Sequence, residues 1–467
     1  MFFVFSLFQS KGSFSCRLNS GSGLSSKSLI CAVSRSSSDS VRSRKPENVA
    51  IVGSGIGGLS AALALLKTQN TGVDKITIFE SRKGLDTDLG GALNINGGAS
   101  VLINKYDLPI ETISRPFSKV VARNADGSIN GGRTLFELDL DKAVNNNPRA
   151  QETLRNHKNG NLLMLSVMRD TLQKMLYDEV MATEKVEIVR RRVSWLELVK
   201  NSKARVILDA ADVFESEFDL IIGADGVKSV VRAFLAGNGS QERANYSGIR
   251  VQFAVNSKRY NENTLTNGVV SQWFGNGGFA LHYGAGKDNE LIAFPFRSTR
   301  KSRENSEYDS ASIQDDCRHR METCGMPLEI VNALDRCDRF IDTSTYYHKI
   351  LPSSSNGVCI LLGDSFHAMP PFLGQGANQS IQDAHVLAKC ISEIGVNYSN
   401  QQSALLAYER IRKGPTAKII TTSRLAGWME TQPAPLGTFI RNSLFQALSS
   451  ADLTARIFLN SSIPEIL

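Results

Sequence analysis

Long apolar runs are missing from this 467-residue sequence. No stretch of 18 or more consecutive apolar residues occurs, so no segment has the length of a membrane-spanning helix. Cysteine and histidine are sparse, at seven and six residues, and neither stands in a zinc-site spacing such as C-x-x-C or H-E-x-x-H. We therefore expect no transmembrane segment, no disulfide framework and no metal site.

Net charge is also scarce outside the first 45 residues. The formal charge is +7, but residues 1–45 hold seven basic residues and one acid and account for +6 of it. The remaining residues are therefore nearly neutral and contain no basic stripe interleaved with aromatic residues. This distribution argues against a nucleic-acid partner.

The first 45 residues differ in composition from the rest. Fifteen of them are serine, and Asp39 is their only acid. A serine- and arginine-rich, acid-poor segment is typical of a transit peptide, and the serine excess favours the chloroplast or plastid stroma over the mitochondrion. The apolar start, residues 1–8, carries no basic residue, so a secretory or bipartite signal and an unprocessed disordered tail stay open.

A glycine-rich turn follows this leader. Residues 48–53 are β-branched and apolar, as in a buried parallel strand, and the turn fits G-x-G-x-x-G before an Ala/Leu-rich helix. Gly53 permits the tight turn, Gly55 exposes backbone N–H groups to a pyrophosphate, and Gly58 lets helix and strand approach. The pattern predicts a dinucleotide-binding domain, and a purely structural turn is the alternative.

A second strand, residues 75–79, ends at Glu80, which lies 22 residues after Gly58. A carboxylate at this position can accept hydrogen bonds from both ribose hydroxyls and would repel a 2′-phosphate. The sequence therefore predicts FAD or NAD as the bound dinucleotide.

Two later segments carry further glycine-rich patterns after strand-like runs. Residues 219–232 read DLIIGADGVKSVVR, and residues 363–378 read GDSFHAMPPFLGQGAN. With the first turn, they resemble in order and spacing the three fingerprints of the single-component FAD-dependent aromatic hydroxylases. That group includes zeaxanthin epoxidase and tetracycline-inactivating monooxygenases. The resemblance covers about residues 48–450 and implies FAD as the cofactor.

The resemblance assigns roles to the third segment. Asp364 matches the residue that hydrogen-bonds the ribityl chain, and a turn or helix N-cap is its alternative role. Pro370 and Pro371 hold the loop rigid beside the flavin ring. The helix start that faces the ring is formed by Gly374, Gly376, Ala377 and Asn378. Its N–H groups and positive dipole end stabilise the reduced, anionic flavin.

Other matching residues complete the predicted cofactor site. Asp225 and Gly226 resemble the motif that supports the FAD pyrophosphate and NADPH use, and a purely structural turn is the alternative. Arg169 opens a helical pattern, residues 166–176, and resembles the arginine that reaches the FAD phosphates. The set also includes Ile56 in the first turn. Arg82 covers the adenosine or is a solvated surface residue.

Ser365 and Phe366 depart from the two small residues that many family members have before the histidine. Zeaxanthin epoxidase has a similar serine followed by an apolar residue, so FAD binding is unaffected. The resemblance places the chemistry on the flavin. We therefore expect no catalytic side chain beyond the flavin and a supporting role for His367.

The fold class that the sequence predicts is α/β: a Rossmann-type FAD-binding domain of the aromatic-hydroxylase type, an inserted antiparallel β-sheet substrate domain and C-terminal closing helices. The predicted ranges are 46–115, 150–240 and 345–400 for the first, 116–149 and 241–344 for the second, and 401–467 for the helices. Mixed polarity predicts the antiparallel strands at 117–123, 133–138, 249–256, 269–274, 279–283 and 291–296.

Several aromatic residues of these strands are candidates for the substrate pocket. They are Trp273, Phe274, His282, Tyr283 and Phe296. Aromatic residues at strand spacing are more often plain core, which is the alternative for each.

The resemblance implies an FAD-dependent monooxygenase. NADPH or NADH would act as a transient electron donor, and a C4a-hydroperoxyflavin would transfer one oxygen atom from O2 to an aromatic or isoprenoid-type small molecule. A geranylgeranyl-reductase-like dehydrogenase or reductase is the alternative, and a non-enzymatic FAD-binding protein is a further one. A halogenase is disfavoured because W-x-W-x-I-P is missing. The substrate and the oligomeric state stay open.

Overall fold

The computed structural model of the protein describes residues 44–85, 90–126, 132–148, 164–200, 202–237, 244–257, 268–302 and 310–449. Residues 1–43 of the predicted leader and residues 450–467 of the predicted C-terminal region lie outside the described residues. The targeting prediction therefore stays a prediction.

Strands and helices are numbered in chain order. The strands are β1 Asn48–Val52, β2 Lys75–Phe79, β3 Ala92–Ile95, β4 Ser114–Pro116, β5 Lys119–Asn124, β6 Thr134–Asp139, β7 Leu165–Met168, β8 Val186–Val189, β9 Val193–Val199, β10 Lys203–Leu208, β11 Leu220–Gly223, β12 Asn245–Asn256, β13 Val269–Phe274, β14 Phe279–Ala285, β15 Asn289–Arg297, β16 Arg339–Tyr347 and β17 Cys359–Leu361. The helices are α1 Ile56–Lys67, α2 Gly97–Tyr106, α3 Leu140–Asn145, α4 Arg169–Met181, α5 Val230–Leu235, α6 Ser310–Thr323, α7 Leu328–Ala333, α8 Asp364–His367, α9 Gly376–Ser392, α10 Gln401–Glu430 and α11 Leu436–Ser449.

The first sheet is parallel and runs in the order β17-β11-β1-β2-β8. Its central strands β1 and β11 are almost entirely apolar and buried, as expected of parallel strands covered on both faces. Helix α1 packs against α4 and α9, and its many alanines allow this close approach. The predicted Rossmann-type α/β arrangement is confirmed.

The second large sheet has seven strands in the order β16-β12-β15-β14-β13-β5-β6. Each of the six predicted antiparallel segments overlaps one of these strands, and β16 is an addition that the sequence did not predict. Neighbouring strands are antiparallel except β5 and β13, which pair in parallel. Five of the six strand pairs are therefore antiparallel, as predicted, and this pair is the exception. Strand β16 crosses the predicted boundary at residue 344, and the domain ranges themselves stay predictions.

Strand β7 corrects the predicted helical pattern at residues 166–176. Ser166 pairs with Asn94 of β3 and with Arg115 of β4, so the first residues of the pattern form the centre of a three-stranded sheet. Pairing on both sides outweighs the local helical pattern, and the helix begins only at Arg169. A two-stranded sheet of β9 and β10 completes the strands of the described residues.

Helix α10 contains the predicted helical stretch 403–428, and its start is fixed by a capping box in which Asn400 and Ser403 bond each other's backbone. Helix α11 follows after a short turn and packs against β6 and α10. In the described ranges, no helix has both the length and the apolar character needed to cross a bilayer.

Candidate active site

A central cavity of about 510 Å³ lies between the loops that follow the parallel strands and one face of the seven-stranded sheet. The predicted site residues in its wall are Gly55, Ile56, Arg169, Gly226, Asp364, Pro371, Gly374, Gly376 and Ala377. We call this wall the cofactor half and the opposite wall the sheet half. The predicted residues Gly53, Gly58, Glu80, Arg82, Asp225, Pro370 and Asn378 do not line the cavity.

The glycine-rich turn between β1 and α1 shows why three glycines are needed. Gly53 has a φ of +103°, and a Cβ atom there would lie 2.5 Å from the Ala224 carbonyl oxygen. A Cβ atom on Gly58 would lie 1.9 Å from the Gly53 carbonyl oxygen, so α1 begins in direct contact with the turn. A Cβ atom on Gly55 would meet nothing within 4 Å, and this residue faces the cavity. Of these three glycines, only Gly55 leaves room for a ligand.

Glu80 is held beside this turn by hydrogen bonds. The Ser54 N–H and hydroxyl donate to its Oε2 at 2.9 and 2.8 Å, and the Arg82 N–H donates to Oε1 at 3.0 Å. Burial opposes ionisation, but these hydrogen bonds outweigh it and lower the pKa of Glu80. The result is a fixed, charged carboxylate at the edge of the turn. The Arg82 side chain is exposed, as in the solvated alternative.

Asp225 and Gly226 have different positions. The Asp225 carboxylate accepts hydrogen bonds from the Ser229 hydroxyl at 2.5 Å and from the Val230 N–H at 2.7 Å, at the start of α5. Burial raises the pKa of Asp225, and these hydrogen bonds act against that rise. Gly226, with a φ of +76°, lies in the cavity wall. The side chain of Asp225 thus stabilises the turn, and only the backbone at Gly226 reaches the cavity.

Asp364 follows β17 and faces the cofactor half. Its side chain is exposed to the cavity, whose walls surround it. Burial raises the pKa of Asp364, and the nearby His367 and Arg169 act against this rise. The carboxylate has no hydrogen-bond partner among the described residues, so it is available to accept hydrogen bonds from ligand hydroxyls.

Asp383 of α9 supports the turn before Asp364 from inside the protein. Its Oδ2 accepts a hydrogen bond from the Gly363 N–H at 2.8 Å and lies 2.6 Å from His367 Nε2, and its Oδ1 accepts one from Arg412 Nε at 2.6 Å. Burial opposes the charge of Asp383, but His367 and Arg412 lower its pKa to about 2. His367 is fully buried and outside the cavity wall, which fits its expected supporting role.

The loop that begins at Pro370 is fixed by α10. The Ser423 hydroxyl donates to the Pro370 carbonyl oxygen at 2.5 Å. Phe372 packs so closely on α10 that a Cβ atom on Gly427 would lie 2.2 Å from its ring. A short 3-10 turn then ends at Gly374, which has a φ of +60°. The loop is held from behind by packing, while Gly374 faces the cavity.

Asn378 connects α9 to the start of α2. Its Oδ1 accepts hydrogen bonds from the N–H groups of Asn96 and Gly98 at 3.1 and 2.9 Å. Its Nδ2 donates to the carbonyl oxygens of Asn94 and Gly374, both at 2.9 Å. All four hydrogen-bonding positions of this buried amide are used within the protein, so its side chain fixes the helix start and leaves any contact with a cofactor to backbone N–H groups. The backbone at Gly376 and Ala377 faces the cavity instead.

Arg169 begins α4 and contributes a cation to the cofactor half. A Cβ atom on Gly90 would lie 2.7 Å from Arg169 Cδ, and one on Gly91 would lie 2.9 Å from the Phe253 ring. These two glycines join the cofactor half to the sheet half, and the sequence analysis missed them. Their signal was a glycine pair directly before the short strand β3.

The sheet half is apolar. Its residues include Val251, Phe253, Val270, Leu281, Tyr283 and Ala293. Of the five predicted pocket aromatics, only Tyr283 lines the cavity. Trp273, His282 and Phe296 point to the opposite face of the sheet, because neighbouring residues of a strand alternate between the two faces. Trp273 and Phe296 pack in the core with α6 and α7, and His282 pairs with Glu290 at 2.5 Å on that other face. Phe274 is buried against Phe279 and Phe445.

The cofactor half fits FAD on these observations. Gly55 leaves space for close approach to its backbone, Arg169 provides a cation for a phosphate, and Asp364 provides an open carboxylate for hydroxyls. The α9 start adds backbone N–H groups at the positive end of a 17-residue helix. The cavity volume also lies within the usual range for small-molecule sites, roughly 300–1,000 Å³.

Comparison with known proteins agrees with this geometry. Residues 47–423 match the family described as FAD binding domain. The chain belongs to this family of FAD-dependent monooxygenases. The match confirms FAD as the cofactor. The likeness to zeaxanthin epoxidase stays a prediction.

Among curated relatives of this flavoprotein, 6-hydroxynicotinate 3-monooxygenase of Pseudomonas fluorescens is 27% identical over 234 residues, which are 50% of this chain and 59% of the relative. The 6-methylsalicylate 1-monooxygenase of Aspergillus terreus is 25% identical over 393 residues, 81% of each chain. A similar solved structure is HpxO of Klebsiella pneumoniae complexed with FAD and uric acid, with a TM-score of 0.71 at 18% identity, covering 89% of this chain and 96% of that one. At 18% identity, this structural similarity is evidence for a shared fold alone.

Proposed function

We propose that this flavoprotein uses NADPH or NADH and O2 to insert one oxygen atom into an aromatic or isoprenoid-type small molecule. The observation that carries the proposal is the shared cavity, in which a polar cofactor half faces an apolar sheet half. A small molecule on the sheet half would lie directly against the cofactor. The curated relatives named above are monooxygenases, which supports the same reaction class.

The chain's own residues bind and orient the cofactor. Arg169 would hold the phosphates, Asp364 would accept hydrogen bonds from the ribityl hydroxyls, and the backbone N–H groups at Gly376 would hold the polar edge of the ring. When bound, FAD supplies the redox chemistry, because no side chain can accept a hydride or activate O2. Asp383 and Asn378 act as positioning residues, since they fix the turns that carry these groups.

The apolar sheet half excludes water from the cavity. Val251, Leu281 and Phe253 cover this side of the cavity with apolar surface. Excluding water strengthens the hydrogen bonds of the cofactor half and prevents hydrolytic side reactions at the reacting centre. A dry wall of this kind suits oxygen transfer to an organic substrate.

The nicotinamide donor is proposed to dock transiently. The chain has no second G-x-G-x-x-G turn that would hold NADPH as a resident cofactor. NADPH and NADH are both candidates, and their relative kcat/KM values for flavin reduction would decide between them.

Oxygen-18 labelling tests the proposed reaction. The full chain is reconstituted with FAD, supplied with NADPH or NADH and a panel of phenols, quinolones and isoprenoids, and its products are analysed by mass spectrometry. We expect ligand-stimulated NAD(P)H oxidation and one atom of label from ¹⁸O2 in the product. Unlabelled, dehydrogenated or reduced product would replace the proposal with the reductase alternative, which the named relatives do not favour.

We also propose a plastid location, based on the serine-rich, acid-poor composition of residues 1–45. A fusion of these residues to a fluorescent protein is expected to enter plastids. Accumulation in mitochondria or in the secretory pathway would support the corresponding alternative.

A further inference from the structure

The charge distribution of the cavity restricts its substrate. Among the described residues that line it, the only charged side chains are Arg169 and Asp364, and both belong to the cofactor half. The sheet half presents apolar side chains with a few neutral polar groups, among them Tyr283, Gln272 and Thr343. Nothing on this described wall would neutralise a charged ligand.

The hydroxyl of Tyr283 is a polar group of the sheet half that is available to hydrogen-bond a ligand. Tyr283 is 7% exposed and lines the cavity. Its hydroxyl has no hydrogen-bond partner among the described residues, whereas the Thr343 hydroxyl donates to the Ser344 carbonyl oxygen at 3.4 Å. Burial raises the pKa of Tyr283, so the hydroxyl stays protonated at neutral pH and can donate.

A carboxylate substrate does not suit this wall. Burying an anion without a cationic partner costs several kcal/mol, whereas a neutral hydroxyl or carbonyl needs only one hydrogen-bond partner. The relatives named for 6-hydroxynicotinate and 6-methylsalicylate act, by those names, on carboxylates. The described sheet half of this chain lacks the cation that such a substrate would need.

We infer that the substrate of this enzyme is a neutral, largely apolar ring compound with one hydroxyl or carbonyl group, which hydrogen-bonds to the Tyr283 hydroxyl and is thereby oriented over the cofactor half. This inference rests on the proposed function, because it assigns the sheet half to the substrate. Tyr283 acts as a specificity-determining and orienting residue.

Matched ligand pairs test the substrate class. The FAD-loaded full chain is titrated with 2-methylphenol and salicylate, and with 2-naphthol and 3-hydroxy-2-naphthoate, while the flavin absorbance is recorded. The members of each pair differ by the presence of a carboxylate in place of a methyl group or a hydrogen. We expect each neutral compound to bind at least about tenfold more tightly than its partner, with a Kd below about 1 mM. Equal or tighter binding of the carboxylates, or no binding of either neutral compound, overturns the inference.

Tyr283→Phe tests the orienting role, because it removes only the hydroxyl. We expect the affinity for 2-naphthol to fall about 5- to 10-fold while the affinity for FAD and for naphthalene, which has no hydroxyl, stays the same. Tyr346→Phe, on β16 of the same sheet but outside the cavity wall, is the matched control and should change none of these affinities. An unchanged 2-naphthol affinity in Tyr283→Phe overturns the role of this hydroxyl.

Ligand binding and catalytic turnover are measured in separate experiments, so a failure of this inference can be distinguished from a failure of the proposed function. The titrations require FAD and ligand but no electron donor, so the preference for neutral ligands is measured without any reaction. If neutral ligands bind preferentially and no ¹⁸O enters the product, the monooxygenase proposal fails and the substrate class stands. If label enters carboxylate products as readily as neutral ones, the substrate class fails and the monooxygenase proposal stands.

Discussion

The carboxylate of Asp383 and the amide nitrogen of Gly363 lie 2.8 Å apart, which connects the buried side of α9 to the residue directly before Asp364. Asp383 also neutralises Arg412 in the interior, where both side chains are almost fully buried. A residue that does not touch the cavity thus fixes the position of one that does.

Asp383→Asn should weaken both the fold and cofactor binding. The amide keeps the size of the side chain but leaves Arg412 without its counter-charge, and breaking a buried pair in this way costs about 3 kcal/mol or more. We expect a lower Tm in the apo-protein and a rise of about tenfold in the Kd for FAD, measured by flavin fluorescence. Asp335→Asn, which loses a partly exposed pair with Arg318, is the control and should change neither. Unchanged FAD affinity in Asp383→Asn would contradict the positioning role.

Two glycines three residues apart should respond differently to alanine. Gly58→Ala places a Cβ atom 1.9 Å from a carbonyl oxygen, so the start of α1 must shift, and we expect a large loss of stability or insoluble protein. Gly55→Ala meets no atom in the protein, so it should fold normally but bind FAD at least about tenfold more weakly, because the methyl group occupies ligand space.

Gly414→Ala, within α10 and outside the cavity wall, is the control for this pair. Because Gly414 directly precedes Pro415, whose ring disfavours the helical region for a residue with a Cβ atom, the substitution should lower stability without changing the affinity for FAD. The measurements are thermal unfolding of each apo-protein followed by FAD titration. Normal FAD affinity in Gly55→Ala would show that the turn is purely structural.

Asp364→Ala should separate cofactor affinity from stability. Burial disfavours the charge of this carboxylate, so its removal should leave the apo-protein at least as stable as the unmodified chain. Hydrogen bonds to a charged group contribute about 1.5–3 kcal/mol, so FAD affinity should fall by about 10- to 100-fold. Asp288→Ala, at an exposed position between β14 and β15, provides the control. A destabilised apo-protein with normal FAD affinity would indicate the N-cap alternative for Asp364.

Glu430 at the end of α10 should make stability depend on pH. Burial raises the pKa of this carboxyl to about 7, although Arg441 acts against the rise. Because the folded protein holds this proton more tightly than the unfolded chain, stability should fall as pH rises from about 4.5 to about 7, by about 3 kcal/mol at most.

Glu430→Gln removes the titrating group and should therefore raise Tm at pH 8 while leaving it nearly unchanged at pH 5. The check is thermal unfolding across this pH range. Glu322→Gln, at an exposed position of α6, should show no such difference between the two pH values. Equal Tm shifts of Glu430→Gln at both pH values would rule out this titration as the cause.

The sequence predicted those parts of the fold that depend on local patterns. The strand, glycine turn and helix around Gly55 follow from neighbouring residues, and so does the strand that leads to Asp364. The role of Asn378 depends on Gly98 and other residues far along the chain, so the local pattern indicated only a position near the cofactor. Asp383 was missed for the same reason, because its partner Arg412 lies on another helix.

The sheet half of the cavity shows a different limitation of local patterns. The sequence located the strands well, but the choice of wall residues depends on which face of each strand meets the cavity. Tyr283 and His282 are adjacent and point to opposite faces, so a single register decision determines which of them a substrate meets. Only the assembled sheet makes that decision.

The bridge from Asn378 to Gly98 also has a consequence for biosynthesis. A ribosome releases the chain in order, so the wall that contains Gly55 emerges long before α9. Until α9 is complete, the start of α2 lacks its partner, and the cofactor half has no closing wall. FAD can therefore bind only after nearly the whole folded region has been synthesised. Until then, the nascent chain exists as an apo-protein.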